Sequence, residues 1–276
     1  MPSQSRSRLI VRTANLSDIP AINRVVQRTY PNLDDYTFDE LRGQINNFPE
    51  GQLVAVYEDV VVGYCATLCL PEDQVMRPHT WARITGNGYG STHDIDGDYL
   101  YGYEICVDPE ARGLRIGQRL YREREALCMK LGLKGIVFSG RLPGLKRRYK
   151  KYGSAEAYVE AVQNKEIRDS VLSFQLNQGY ELLGVMPNYL PPDEASMGYG
   201  AHLLWRNPEY KYREDVVGDS HVHLQRPATV RIATIQYGQR AIDSFDEFAQ
   251  IVTYFVRETS DAKADFVVFP ELFTVQ

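Results

Sequence analysis

Ile105-Cys106-Val107-Asp108-Pro109-Glu110-Ala111-Arg112-Gly113-Leu114-Arg115-Ile116-Gly117 is the stretch on which the reading of this chain turns. A short apolar run stops at Asp108-Pro109, a turn containing Gly113 follows, and the helical spacing of Ile116, Leu120, Leu127 and Leu131 starts at Ile116. A strand that enters such a turn and then a helix presents backbone N–H groups with no intrahelical partner, together with the positive end of the helix dipole. That combination receives anions, a pyrophosphate above all. The stretch predicts a cofactor-binding α/β protein.

Composition narrows the class further. The chain has 276 residues, enough for one large domain or two smaller ones. A net charge of -5 argues against a nucleic-acid binder that works by broad phosphate neutralisation. Cys65, Cys69, Cys106 and Cys128 form no Cys-x-x-Cys pair, and three of them lie in apolar runs where cysteine acts as a small hydrophobe, so a reducing, cytoplasmic location is expected. The longest uncharged apolar run, Val60 to Leu70, is far short of the roughly 20 residues that span a bilayer, so no membrane is expected as a partner. Met1 to Arg8 is rich in Ser and Arg and lacks the apolar centre of a signal peptide.

Working outward, Leu9-Ile10-Val11 reads as a strand, and Asn15 or Ser17 caps a helix with Ile19, Ile22, Val25 and Val26 along one side. A second helix passes through Phe38, Leu41 and Ile45, and the runs 53–57 and 60–70 form a hairpin about Glu58-Asp59. Residues 71–98 read as a long inserted loop, with Gly86, Gly88 and Gly90 giving flexibility to a lid over the acceptor site. Tyr99 to Val107 is the strand that enters the opening stretch. Beyond it, Arg119, Arg122 and Arg124 lie off the apolar stripe of the helix, and Gly132 sits just past its end. A strand at 135–138, a solvated basic run at 146–151, a helix capped by Ser154, a helix over 171–176, and strands at 180–185 and 200–205 complete this part. His93, Asp94, Asp96 and Asp98 do not make an EF-hand, because Tyr99 and Ile105 occupy the positions that need Gly and Glu; no metal site is expected.

The order of elements resembles the GCN5-related N-acetyltransferase (GNAT) family over residues 8–208. Val107 to Gly117 looks like its acetyl-CoA signature, Q/R-x-x-G-x-G/A, with Arg112 first and Gly117 last. The resemblance implies a mixed, mostly antiparallel twisted sheet flanked by helices. It implies acetyl-CoA as cofactor, with its pantetheine arm beside Ile105, Cys106 and Val107 and its pyrophosphate on the backbone of Arg112, Gly113, Leu114, Arg115, Ile116 and Gly117. Arg115 stands where the pattern has its central Gly, and its guanidinium either faces a phosphate oxygen or points to solvent. An amine acceptor, small molecule or protein, would attack the thioester, with Glu104 as base. Residues 168–180 resemble the family's second motif, in which Gln175 occupies the place of the acid tyrosine. Gln has no titratable proton. Either another group or water protonates the leaving thiolate, or the domain no longer transfers acyl groups.

After a polar linker at 209–227, residues 228–276 read as β-α-β: a strand at 230–236, a helix carrying Phe245, Phe248, Ile251, Val252 and Phe255, and a buried parallel strand at 266–269. These residues resemble the opening of a nitrilase-type carbon–nitrogen hydrolase. Glu271 matches the Glu of its F-P-E motif, the general base of a Glu-Lys-Cys triad, and the Lys and Cys are expected beyond Gln276. The fragment is expected to be poorly stabilised or to pack on the first domain. His221 and His223, in the linker, are expected to be unliganded. Three functions compete: an N-acetyltransferase fused to the start of a hydrolase, a non-catalytic acyl-CoA-binding module that regulates that hydrolase, and a longer amidase or nitrilase as the main activity. The acceptor and the oligomeric state are left open by the sequence.

Overall fold

Local sequence sets the first elements of the computed structural model, which describes residues 9–210, 231–236, 242, 244–262, 264 and 266–269. Strand β1 is Ile10–Thr13. The Asn15 side chain then accepts the Ser17 N–H, and the Asp18 carboxylate accepts the Asn15 N–H at 2.9 Å. This reciprocal cap launches α1, Ile19–Thr29, with Pro20 in its first turn, where the missing N–H costs nothing. Helix α2, Phe38–Asn47, starts from a second such cap between Thr37 and Glu40. Strands β2 (Gln52–Tyr57) and β3 (Val60–Leu70) form the expected hairpin, and Glu58 and Asp59 both take positive φ, as a tight right-twisted turn requires.

Residues 71–98 are not a loose loop. They hold two short helices, α3 (Glu72–Val75) and α4 (Trp81–Thr85). Gly86 ends α4 in the left-handed region, Gly90 N–H bonds back to Thr85 O at 2.8 Å, and Gln44 Nε2 donates to Gly88 O at 2.7 Å. The glycines close tight turns against α2 rather than freeing a lid. The rest of the unit is β4 (Tyr99–Val107), α5 (Ile116–Lys130), β5 (Gly135–Arg141), α6 (Leu145–Tyr152), α7 (Ala155–Gln163), α8 (Leu172–Asn177), β6 (Glu181–Met186) and β7 (Gly200–Arg206). The basic run 146–151 is therefore a helix, anchored by buried Leu145.

The seven strands form one sheet in the order β1-β2-β3-β4-β5-β7-β6. Among the described residues neighbours pair antiparallel except β4 and β5, which run parallel. One face is covered by α1 and α2, whose Ile22, Val25 and Leu41 join Tyr64, Leu68, Tyr101 and Tyr103 in a core. The other face meets Ile116 and Leu120 of α5 near β2 and β3, and Tyr121 and Cys128 of α5 with Leu145 and Val159 near β5 and β7. The buried row of α5 is Ile116, Leu120, Tyr121, Arg124 and Cys128, whereas Leu131 is exposed. Arg124 thus belongs inside the molecule, a correction to its sequence placement off the apolar stripe.

The chain divides into two compact units, residues 1–212 and 213–276. In the second, β8 (Ile232–Thr234) pairs parallel with β9 (Phe266–Val268), and α9 (Phe245–Asp261) is capped by Ser244. The strands are parallel, as expected, but not buried: Ile232 and Phe266 are each 62% exposed. One helix cannot cover both faces of two strands. Glu271, His221 and His223 lie outside the described residues. No helix among those described is long and apolar enough to cross a membrane.

Asp169 fastens the helices behind β5. Its carboxylate accepts the Val171 and Leu172 N–H groups at 2.9 and 3.0 Å, the Gly144 N–H at 3.0 Å and the Tyr158 hydroxyl at 2.7 Å. Asp169→Ala strands four donors in a buried setting, with an expected loss of about 3 kcal/mol, after charged hydrogen bonds generally. Urea denaturation checks this; a loss under about 1 kcal/mol contradicts the assignment.

Candidate active site

The site exists because two parallel neighbours part. β4 and β5 pair only over Tyr99–Gly102 and Gly135–Phe138. Beyond that, Ser139, Gly140 and Arg141 stay paired with His202, Ala201 and Gly200 of β7, while Glu104 to Val107 stay paired with Ala66 to Gly63 of β3. Each strand follows a different partner, and a cavity of about 550 Å³ opens between them. It is lined from both faces of the sheet: by Tyr30, Tyr36 and Trp81 on the α1–α2 side, and by Arg124, Val171 and Gln175 on the α5–α8 side.

A bulge aims Glu104 into this cavity. Ala66 of β3 faces Glu104 and Thr67 faces Gly102, so Tyr103 is the extra residue. Strict alternation would put Glu104 on the face of Leu100 and Gly102, towards α5. The bulge reverses the phase and brings Glu104 to the face of Tyr103, beside α1. There the Tyr30 hydroxyl lies 3.2 Å from Glu104 Oε1 and 3.1 Å from the Ile105 carbonyl, and the Tyr36 hydroxyl donates to Oε2 at 3.2 Å. Burial lifts the Glu104 carboxyl to about 7, even though hydrogen bonds from Tyr30 and Tyr36 and the nearby Arg141 charge favour its ionised form. Burial also pushes both tyrosines well up, so they remain protonated donors.

The cavity roof is tied down on two sides. Arg141 makes a two-point ion pair with Asp193 at 2.7 and 2.6 Å, and its guanidinium stacks on the Tyr30 ring at 4.9 Å. The Asp193 carboxyl is held below its usual range: burial alone would raise it, but Arg141 and Ser196 outweigh that. Trp81 joins the other side, its ring N–H donating to Tyr103 O at 3.2 Å and its backbone N–H to Tyr189 O at 2.7 Å.

The opening stretch leaves the mouth of this cavity. Ile105 and Val107 turn towards α5, whereas Cys106, 2% exposed, is packed into the core beneath α1. Arg112 is exposed, and Gly113 takes φ 93, which a Cβ would strain. Leu114 is 43% exposed. Arg115 sits at the N-cap of α5 with φ 57, so a non-glycine residue carries the left-handed turn and its side chain points outward. Ile116 is buried, and a Cβ on Gly117 would reach van der Waals contact with Phe174 of α8. The first N–H groups of α5 have no helical acceptor, and Arg115 provides no side-chain cap. They are open N–H donors at the helix start, beside the parting strands. The residues present fit a pantetheine-linked pyrophosphate.

The structure adds residues that the sequence reading passed over. Tyr30 and Tyr36 carry no local signal, since they reach Glu104 across about 70 residues of chain. Arg124 did have one: with Ile116, Leu120 and Cys128 it forms an i, i+4 row, the row that is buried. Gln175, 3% exposed, reaches the cavity, and its Oε1 has no hydrogen-bond partner among the described residues.

Comparison with known proteins agrees with this geometry. The family model described as "Acetyltransferase (GNAT) family" matches residues 19–153. A Bacillus subtilis protein named "Uncharacterized N-acetyltransferase YkwB" is 36% identical over 173 residues, covering 63% of this chain and 76% of that protein. "Probable hydrolase YhcX", also from Bacillus subtilis, is 38% identical over 269 residues, 98% of this chain, and the chain spans about half (51%) of that protein's length. Among solved structures, the GphF GNAT-like decarboxylase in complex with isobutyryl-CoA aligns with TM-score 0.64 at 23% identity, over 72% of this chain and 99% of that one. The loading GNATL domain of CurA from Lyngbya majuscula aligns with TM-score 0.62 at 18% identity, over 72% and 98%. The parted β4 and β5, the open N–H donors at the start of α5 and the extent of the match to YkwB lead to one conclusion: the chain belongs to the GNAT acetyltransferase family.

Proposed function

We propose that residues 8–208 transfer the acetyl group of acetyl-CoA to an amine, with Glu104 as the base. The observation that carries this reading is the buried Glu104 carboxyl, lifted to about 7, standing in the cavity between the parted strands. The backbone of Arg112 to Gly117 would hold the pyrophosphate, and Ile105 to Val107 would lie beside the pantetheine arm. Acetyl-CoA supplies an acyl group activated by a good leaving group; the protein's part is to orient it and to manage protons. Glu104 takes the proton from the attacking nitrogen. Its neutral-range affinity lets it do so at physiological pH without holding the proton too weakly. Tyr30 and Tyr36 keep the carboxyl oriented towards the α1–α2 side, where the amine would enter.

The sign of the pH dependence follows from this role. Glu104 must be deprotonated to accept a proton, so kcat/KM rises with pH through about 7. Steady-state rates across the neutral range check it; a flat profile there removes Glu104 from the role. Glu104→Gln keeps the shape and loses the base. We expect its turnover to fall by about 10² to 10⁴, the usual contribution of a general base, with acetyl-CoA affinity by isothermal titration unchanged. Unchanged turnover contradicts the assignment. Sustained CoA release with acetyl-CoA and a panel of amines separates this reading from a purely regulatory acyl-CoA module, for which release stays at the hydrolytic background.

The second unit extends the proposal. Residues 228–276 open a nitrilase-type carbon–nitrogen hydrolase in which Glu271 is the general base. The support is the F-P-E motif, the parallel strands flanking α9, and a match to a protein named as a probable hydrolase, of whose length this chain spans 51%. The gene read past codon 276 tests it: a downstream Lys and Cys are expected, and their absence removes the hydrolase.

A further inference from the structure

Arg124 is a buried charge, 1% exposed, that forms no ion pair among the described residues. Its guanidinium carbon lies 4.4 Å from the Tyr121 ring centre, 4.8 Å from that of Phe138 and 5.5 Å from that of Tyr180. One Nη donates to the Tyr180 hydroxyl at 3.0 Å, and Nε has no partner. The titratable groups around it are Tyr121 and Tyr180, Cys65 from β3, and Glu125 and Cys128 on its own helix. Burial raises Tyr121 and Tyr180 and lifts the Cys65 thiol to about 11, so all three stay neutral. An arginine keeps its charge even here. Ring faces repay part of the desolvation, but a fully buried cation is costly without an anion.

Two glycines bring this cation to the cavity. A Cβ on Gly102, the last β4 residue paired with β5, would stand 2.5 Å from Arg124 Nη1. A Cβ on Gly140, opposite it across the opening, would collide with Gln175 Oε1. Both strands therefore lack a side chain where Arg124 and Gln175 approach from the α5–α8 side. The cavity thus has a carboxyl on one face, a guanidinium behind the opposite face, and a gap between the strands that joins them.

We propose that Arg124 is the electrostatic partner of the departing CoA thiolate, and that it allows the C–S bond to break without a proton donor at position 175. The proposal rests on the acyl-CoA reading above. The nitrogen lone pair forms the C–N bond, and its proton goes to Glu104. The C–S electron pair moves onto sulfur, and the anion the step creates appears in a cavity bordered by a buried cation that has no ion-pair partner among the described residues. The sulfur takes its proton from solvent after CoA leaves. A fixed charge that needs no reorganisation at the moment of bond cleavage is an effective way to stabilise such an anion.

The test titrates the thiol of CoA bound to the full chain, followed by thiolate ultraviolet absorbance. The bound thiol should ionise about one pH unit or more below free CoA, a shift that one nearby unpaired cation readily gives. Arg124→Met keeps the length of the side chain against the three rings and removes the charge. The shift should vanish in it, turnover should fall by about 10²-fold or more, and affinity for desulfo-CoA, which has no sulfur, should stay the same. Arg124→Lys should keep part of the shift. A bound thiol that ionises at or above the free value in the unaltered chain overturns the proposal, even if Arg124→Met fails to fold. So does a shift that survives in Arg124→Met. Tighter binding of malonyl-CoA than acetyl-CoA with an unshifted thiol would assign the guanidinium to a carboxyl on the acyl chain instead. Loss of heat with both CoA and desulfo-CoA is a different result, and it removes the acyl-CoA reading itself.

Discussion

The parting of β4 and β5 is the constraint on which the rest of the first unit depends. Parallel neighbours can stay paired only while both follow the same twist. After Gly102 and Phe138 they do not, because β4 remains bonded to β3 and β5 remains bonded to β7. The strand groups left unpaired by the parting need other partners. Two of the carbonyls find them on α1: the Tyr30 hydroxyl lies 3.1 Å from Ile105 O, and the Thr29 hydroxyl donates to Val107 O at 3.2 Å. The gap also removes the barrier between the two faces of the sheet, so groups from α1 and from α5 can serve one site.

Charge in this site is arranged by burial rather than by surface pairs. Glu104 has two tyrosine hydroxyls and the Arg141 charge near it but no ion pair of its own among the described residues, and burial carries its carboxyl up towards neutrality. Arg141 is spent on Asp193, which leaves it a structural strut between β5 and the roof. Arg124 is ringed by aromatic faces and forms no ion pair among the described residues. The two sides of the gap therefore differ in kind: one carries a carboxyl that can change its proton, the other a charge that cannot change.

The sequence was most legible where the signal is local. The strand, turn and helix of 105–117, the capped helices and the hairpin at Glu58-Asp59 all depend on neighbours a few residues apart. Residues 71–98 were misread because four glycines suggested freedom, whereas Gly86 and Gly90 serve tight turns held by hydrogen bonds to α4 and Gln44 to Gly88 ties the segment to α2. Arg124 was placed outside because residue type outweighed period: the apolar stripe was drawn through Leu127 and Leu131, although the i, i+4 row from Ile116 passes through the arginine.

The sequence by itself determined the family resemblance, the strand, turn and helix of 105–117 and the presence of a carboxylate in the strand that leads into them. These rest on short spacing, which a linear reading can measure. It could not decide which face Glu104 looks at, because a one-residue bulge opposite Ala66 and Thr67 reverses the alternation. Nor could it bring Tyr30 and Tyr36 to that carboxyl or place Gly102 and Gly140 in front of Arg124 and Gln175. Those contacts join residues far apart in the chain, and their chemistry comes from exclusion of water, which belongs to the folded sheet and not to any one segment of it.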